Sequence, residues 1–361
     1  MLILAIESSC DETSCAIIEA SSNGINVKSN IVASQIETHR LYGGVVPEIA
    51  SRAHIEAISS ITYEALNVAS VTMQDVDAVA VTSNPGLIGA LLVGVNFAKA
   101  LALAYNKPII PVDHIKGHIA ACYIGNTDNV PKPPFIALAV SGGHTGIYLV
   151  ESYTEMREIG TTRDDAIGEA FDKIGRIIGI PYPAGAGFDA LSREGFILAC
   201  GSVEGFYGKY KRTDAYKSGG YTLPTPAIKD DTLDFSFSGL KTAAINLLHK
   251  YEQTGEDFSR PLFAARYTYE AVEAVAKKIS LALERYPECN LAVAGGVAAN
   301  SHLRARLTEV AEKHKRQVFI PPISLCGDNA AMIGAQGYYN YLAGIVADTS
   351  LNASAEDSIT R

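Results

Sequence analysis

The chain has 361 residues, 48% of them hydrophobic, with 31 glycines, six cysteines and a formal net charge of −9. That length and apolar content exclude a disordered or fibrous chain and favour two compact domains able to bury a large core. The acidic balance argues against nucleic-acid binding through overall charge, so such a partner needs a local basic patch or a second subunit.

From the start of the chain, Ile3 to Glu7 reads as an apolar strand, Ser8 to Ser14 as a polar turn and Cys15 to Ile18 as a returning strand. The opening run Met1-Leu2-Ile3-Leu4-Ala5-Ile6 lacks a basic region and leads into Glu7, so it is read as a strand and not a signal peptide. A helix over Ser51 to Leu66 and a strand at Ala78 to Val81 follow. The most apolar window, Leu87 to Ala104, contains Asn96 and Lys99 and is expected to be a buried helix, not a membrane span. After the strand ending at Ile110, Phe135 to Val140, Ser141 to Gly146 and Ile147 to Val150 repeat the strand–turn–strand pattern of the N-terminus. Two such hairpins about one domain apart suggest a duplicated α/β unit.

The second half adds a helical pattern from Asp164 to Ile178, then Gly- and Pro-rich Gly179 to Phe188. Gly201 to Thr232 reads as an irregular surface excursion. Helical patterns return at Gly239 to Tyr251 and Phe263 to Tyr286. The strand Leu291 to Ala294 enters Gly295-Gly296 and a helix near Asn300. Val318 to Ile320 is the last strand, and a final helix over Ala330 to Ala343 precedes a polar, loosely held tail, Asp348 to Arg361. The cysteines (Cys10, Cys15, Cys122, Cys200, Cys289, Cys326) form no C-x-x-C pair, which fits a reducing compartment and a cytoplasmic location, with no membrane partner.

Chemistry concentrates in a few places. His114 and His118 are four residues apart, about one helical turn, so both imidazoles project from one face and can share a metal ion. Alone, such a pair is more often two core histidines satisfied by their neighbours. The intervening Ile115-Lys116-Gly117 offers no Glu beside the first histidine, which argues against a zinc peptidase. Asp328, in a small-residue loop, is the candidate third ligand; two His and one carboxylate leave positions open for substrate and suit Fe(II) or Zn(II). Three glycine turns, Ser141-Gly142-Gly143, Gly185-Ala186-Gly187 and Gly295-Gly296, expose backbone donors suited to an anion, although none matches a Walker A loop or a G-x-G-x-x-G fingerprint. Asp11 and Glu12 sit in the first turn. Asp165, Glu169 and Asp172 are expected on one helix face. Asp234 to Thr242 is read either as a helix N-terminus facing an anion or as a helix capped by Ser238. The cluster Tyr207, Lys209, Tyr210, Lys211, Arg212, Tyr216 and Lys217 is read equally as an RNA contact or a solvated loop.

Over residues 1 to about 345 these motifs resemble the bacterial tRNA N6-adenosine threonylcarbamoyltransferase family, formerly labelled glycoprotease. The resembling strings are Ile6 to Thr13, Gly43 to Arg52, Pro85 to Gly94, the His114/His118 pair, Val140 to Thr145, Gly168 to Lys173, Asp234 to Thr242, Gly295 to Asn300 and Asp328-Asn329. The resemblance implies an α/β fold of duplicated RNase H-like domains, of the actin, sugar kinase and Hsp70 ATPase type, with a nucleotide cleft between them. Residues 1–110 with 330–361 would form the first domain, and 111–329 the second, carrying the metal ligands. It also implies transfer of a threonylcarbamoyl group from threonylcarbamoyl-adenylate to N6 of the adenosine 3′ of the anticodon, in tRNAs reading codons that begin with A. His114, His118 and Asp328 would hold one Fe(II) or Zn(II). Ala139, Val140, Ser141, Gly142, Gly143, Asp172, Gly185, Asp189 and Asn300 would bind the adenylate, in a cleft that ATP or ADP can share. Apart from the resemblance, Asp11 in the first turn is the expected acidic residue near the reacting groups. tRNA, a TsaB-like paralogue and a TsaE-like ATPase are the implied partners. The chain departs from the family at Ala184 and Ala186, where glycine and proline are usual, at Leu223-Pro224-Thr225-Pro226, and at Gly327, where threonine is usual.

Three other readings compete. A peptidase lacks its general base. A small-molecule kinase has no use for two histidines at helical spacing. A non-catalytic paralogue would lack the His, His and Asp that this chain retains.

Overall fold

The computed structural model describes residues 1–201, 206–217, 221–226, 228 and 231–359. Strand β1 (Leu2–Glu7) turns back into β2 (Glu12–Ser21) and β3 (Gly24–Ser34). Helices α1 (Ile36–Arg40) and α2 (Pro47–Ala69), β4 (Ala78–Asn84), α3 (Ile88–Tyr105), β5 (Ile109–Asp113), α4 (His114–Ala120) and the short β6 (Gly125–Asn126) follow. The strands form one sheet in the order β5-β4-β1-β2-β3-β6.

The second half repeats this plan. It runs through β7 (Phe135–Val140), β8 (Thr145–Val150), β9 (Met156–Thr161), α5 (Ile167–Ile177), α6 (Gly185–Cys200), α7 (Phe206–Tyr210), α8 (Asp214–Lys217), α9 (Ser238–Thr254), α10 (Arg260–Arg285), β10 (Asn290–Ala294), α11 (Ser301–Lys313), β11 (Val318–Phe319) and α12 (Ala330–Leu342). Its sheet order is β11-β10-β7-β8-β9. Strands β1 to β5 therefore correspond one for one with β7 to β11. In each sheet the first strand pairs antiparallel with the second and parallel with the fourth, which pairs parallel with the fifth. The duplicated α/β unit expected from the two hairpins is present.

Central strands such as β7, Phe-Ile-Ala-Leu-Ala-Val, are buried along their whole length because helices cover both faces of the sheets. One cluster packs α2 and α3 on the outer face of the first sheet, and another packs the second-half helices on the second sheet. The third lies between the sheets, where Ile115, Ile119, Met332 and Ile333 of α4 and α12 meet Ile110, Val112, Ala137 and Ala292. Helix α4 follows the last strand of the first sheet and α12 the last strand of the second. Their close approach requires Gly117, where an added Cβ would lie 2.7 Å from Ile333 Cδ1. The first sheet takes in residues to Asp113 and again Gly125–Asn126, and α12 packs back onto it.

Several expectations need correction. Helix α5 starts at Ile167, not Asp164, because Asp164 and Asp165 are engaged with α9. Gly185 to Gly187 form no separate turn; they open α6. The described part of the 201–232 stretch is not a loose excursion. Tyr210 is buried against Phe196 and Tyr269, and Arg266, ion-paired with Glu270 at 2.9 Å, donates to the carbonyls of Tyr216 and Leu223. Residues 202–205, 218–220, 227, 229 and 230 of that stretch lie outside the described residues. Nor is the tail loose as far as it is described. Ala347 bridges to Ile109, the Ser354 amide donates to the Ser83 carbonyl, and Ser358 Oγ donates to Asp113 Oδ2 at 2.6 Å.

Gly117→Val places a branched side chain between α4 and α12. Overpacking at such a contact is expected to cost about 1–3 kcal/mol in denaturant unfolding; an unchanged midpoint would show that the helices part without penalty.

Candidate metal centre and substrate cleft

Residue order alone brings His114 and His118 to one side of α4. Asp113 starts the helix as its N-cap: Oδ1 accepts the amides of Ile115 at 2.9 Å and Lys116 at 3.2 Å. The other oxygen accepts Asn84 Nδ2 at 2.8 Å and the Ser358 hydroxyl. At the start of α12, Asn329 plays the same part, accepting the Met332 amide at 3.1 Å and donating to the Gly327 carbonyl at 2.8 Å. Asp328 is thereby held between two fixed points, its Oδ1 lying 3.1 Å from His118 Nε2 and 3.6 Å from His114 Nε2. One ligand atom from each of the three residues falls within 4.8 Å of the others.

These residues fit a metal ion. Ligands at usual bond lengths around a tetrahedral ion stand about 3.3 Å apart, close to the two carboxylate–imidazole separations. Neither ring nitrogen of buried His118 has a hydrogen-bond partner among the described residues, so its approach to Asp328 is convergence without an aligned bond. Such an orphaned donor set, two imidazoles and one carboxylate, suits Fe(II) or Zn(II) and leaves positions open. Burial alone would depress His114, but the charges of Glu7 and Asp328 outweigh it and lift the imidazole to about 9. Burial would raise Asp328, yet His114 and His118 hold it well below the usual carboxylate range. His144, in the β7–β8 turn, is pushed down to about 4 by burial and by the two histidine charges.

The residues expected to bind substrate are linked to one another by close contacts. Ala139 and Val140 are buried in β7, and Ser141 to Gly143 form the turn into β8. The start of α5 packs against that turn at Gly168, where a Cβ would lie 2.4 Å from the Ser141 carbonyl. Gly295, at φ +93, packs on Val140. Asp172 accepts the Ala184 amide at 2.7 Å and so fixes the residue before Gly185. Asp189 accepts the amide and hydroxyl of Ser301 at 2.9 and 3.0 Å, next to Asn300, whose Oδ1 caps α11. Beside Gly142, Gly143 and Gly185 an added Cβ meets nothing within 4 Å.

Asp11 lies in the first-sheet turn between β1 and β2, which corresponds to Ser141–His144 between β7 and β8. Its charge contributes to raising Asp172 and Tyr182, with burial the larger cause for both. Glu12 is pushed up to about 9 by burial and by Asp328 and Asp11. The structure does not bring Asp165, Glu169 and Asp172 to one site: Lys173 and Lys241 pair with Asp165, and Lys173 also pairs with Glu169. The N-terminus of α9 is no anion site either. Asp164 already fills it, accepting the amides of Phe237 and Ser238 at 2.7 and 3.2 Å and both serine hydroxyls of Ser236 and Ser238. The cluster read as either an RNA contact or a solvated loop is neither throughout, because Tyr210 is core and Tyr216 lies under the Arg266 guanidinium, 3.8 Å from its ring centre. Lys209, Lys211 and Arg212 remain exposed, and the Tyr207 side chain lies outside the described residues.

Sequence reading passed over Glu7. Its carboxylate is fully buried and lies 3.1 Å from His114 Nδ1. The available signal was an acidic residue closing a wholly apolar strand.

Among the described residues α3 alone is long and apolar enough to cross a membrane; it packs Ala90, Leu91, Val95, Ala98 and Ala102 into the protein. Comparison with known proteins bears on identity. The family model for TsaD, tRNA N6-adenosine threonylcarbamoyltransferase, matches residues 26–335. Proteins of that name from Staphylococcus saprophyticus and Clostridium botulinum are 49% and 48% identical, each over 97% of this chain and over 94% and 96% of the relative. Among solved structures, HypF from T. kodakarensis aligns over 97% of this chain and 49% of its own, with a TM-score of 0.55 at 14% identity. Full-length HypF in the phosphate- and nucleotide-bound form gives 0.51 at 16%, over 94% of this chain and 46% of its own. These likenesses establish the duplicated actin-like ATPase fold and nothing finer. With the match covering most of its length, and with relatives close to half identical along nearly all of it, the chain belongs to the tRNA N6-adenosine threonylcarbamoyltransferase family, transferases acting on tRNA.

Proposed function

We propose that the chain moves the threonylcarbamoyl group of threonylcarbamoyl-adenylate to N6 of the adenosine 3′ of the anticodon, in tRNAs reading codons that begin with A, at a cleft centred on His114, His118 and Asp328. The observation that carries this reading is the convergence of His114 Nε2, His118 Nε2 and Asp328 Oδ1 where the two repeats meet. Bound there, Fe(II) or Zn(II) supplies Lewis acidity and an anchor for substrate oxygens.

The chain's own residues do the rest. Backbone N–H groups of Gly142 and Gly143 face the phosphate of the adenylate, while the Ser141 amide closes the turn on the His144 carbonyl. Ala139 and Val140 set that turn at the end of β7, and Asp172, Gly185, Asp189 and Asn300 orient the nucleoside. ATP or ADP fits the same cleft. The exocyclic amine attacks the carbamoyl carbon, the bond to the phosphate oxygen breaks, and AMP leaves. A carboxylate oxygen of Asp11 takes the proton released by the amine. An activated acyl-adenylate needs orientation more than a strong nucleophile, which accounts for a cleft built from caps and turns.

Partners belong to the same reading: tRNA as acceptor, a TsaB-like paralogue and a TsaE-like ATPase, in the cytoplasm. A groove of about 430 Å³ between α2 and α3, lined by Ile55, Ile58, Leu92, Val93 and Phe97, supports a seat for the paralogue. Ile55 is 64% exposed on that face, and exposed apolar surface of this kind marks an interface.

In a reconstitution with unmodified tRNA, threonylcarbamoyl-adenylate and both partners, His114→Ala is expected to lower product formation by roughly a hundredfold or more, as loss of several kcal/mol of charge stabilisation requires. Undiminished modification would overturn the metal-centred reading. Metal uptake should depend on pH. With His114 lifted from 6.5 to about 9 in the metal-free protein, one proton must leave before Nε2 can bind. Zinc affinity should therefore rise about tenfold per pH unit up to about pH 9. The same shift gives the metal-free fold a stabilisation that is complete below about pH 6.5 and lost as pH rises through about 9. A flat zinc affinity from pH 6 to 9 would contradict this. Finally, Ile55→Asp should weaken binding of the TsaB-like paralogue by about tenfold or more in calorimetry; unchanged affinity would put the seat elsewhere.

A further inference from the structure

Burying a carboxylate at the end of an apolar strand is costly unless its oxygens are fully engaged. Both oxygens of Glu7 are. Oε1 accepts the Ser9 amide at 2.5 Å, while Oε2 accepts the Thr82 hydroxyl at 2.6 Å and lies 3.1 Å from His114 Nδ1. Both oxygens already accept hydrogen bonds, so toward His114 the carboxylate is the acceptor and Nδ1 the donor. Ser9 Oγ, 3.1 Å from the same nitrogen, accepts a share of its proton. Nε2 is then the nitrogen turned toward Asp328.

We propose that Glu7 is a positioning residue for the metal centre: it holds His114 as an Nδ1–H donor with Nε2 facing Asp328 and His118, and through the Ser9 amide it ties that ligand to the turn carrying Asp11. The inference rests on the reading of His114, His118 and Asp328 as metal ligands. It makes the two histidines unequal. His114 is anchored by a carboxylate, whereas Nδ1 of His118 has no hydrogen-bond partner among the described residues. Three strand ends meet at Glu7: its own β1, β4 through Thr82, and β5 through the helix it leads into. The ligand is thus fixed to the sheet directly, whatever the short helix α4 does. An outer carboxylate of this kind sets ring orientation and raises the basicity of the coordinating nitrogen.

The test uses the full chain and zinc or cobalt(II) as probe, with affinities from chelator competition and coordination geometry from the cobalt(II) visible spectrum. Glu7→Gln should weaken zinc binding about 10- to 100-fold and alter the cobalt(II) bands, with Glu7→Asp, which keeps an ionised acceptor, retaining more affinity. Thr82→Val leaves Glu7 in place but frees one oxygen, and should give a smaller loss in the same direction; it carries the test if Glu7→Gln fails to fold. His118→Ala serves as the control for the site itself. Zinc binding lost in His118→Ala but unchanged, with an unchanged cobalt(II) spectrum, in Glu7→Gln or Thr82→Val would overturn the role of Glu7 alone. No zinc binding by the unaltered protein would overturn the metal reading and this inference with it.

Discussion

The close contact between α4 and α12 is the constraint on which the rest of the molecule depends. Each helix trails the fifth strand of its own sheet, so the duplication alone places one from each repeat between the two sheets. Ligands at the N-termini of these two helices must then meet, provided that the helices come close enough. Gly117 lets them. The residue that separates the histidines in His114-Ile115-Lys116-Gly117-His118 is therefore where Ile333 of α12 presses against α4. A peptidase glutamate is missing from this stretch, and the glycine that is present serves packing.

Charge is arranged around that contact so that His114 is matched by two carboxylates, while the ring nitrogens of His118 are left without a hydrogen-bond partner among the described residues. Glu7 and Asp328 flank His114, and each holds the imidazole in its charged form when no metal is bound. Removing one member of such a set leaves another uncompensated in a dry site, which is why buried pairs are costly to break even when they add little net stability. An incoming dication replaces the proton of His114 without altering the sign of the charge between the two carboxylates. The two helix caps complete the frame. Asp113 and Asn329 fix the first turns of α4 and α12, and Ser358 of the C-terminal tail closes on Asp113.

Much of this was legible in the sequence. The apolar runs, punctuated by small polar turns, marked both hairpins, and the helical spacing of His114 and His118 put them on one face. What the sequence could not show was which acids face which sites. Asp165, Glu169 and Asp172 have helical spacing, but the helix starts after Asp165, and lysines from two helices claim the first two acids. Asp164 proves to cap α9 across 73 positions of chain. The tyrosine and lysine cluster looked like an RNA surface because composition does not reveal that Arg266, on α10, would draw Tyr216 inward. Glu7 escaped notice for the same reason: its partners Thr82 and His114 lie 75 and 107 positions away. Local pattern specifies elements, whereas these pairings arise only once the topology is fixed.

The central claim is that one metal ion is held by His114, His118 and Asp328. X-ray absorption at the metal edge of the zinc- or iron-loaded protein tests it most directly. The account predicts nitrogen and oxygen neighbours at about 2.0–2.2 Å with the outer-shell scattering of two imidazoles. A sulfur shell near 2.3 Å, or the absence of imidazole scattering, would contradict it.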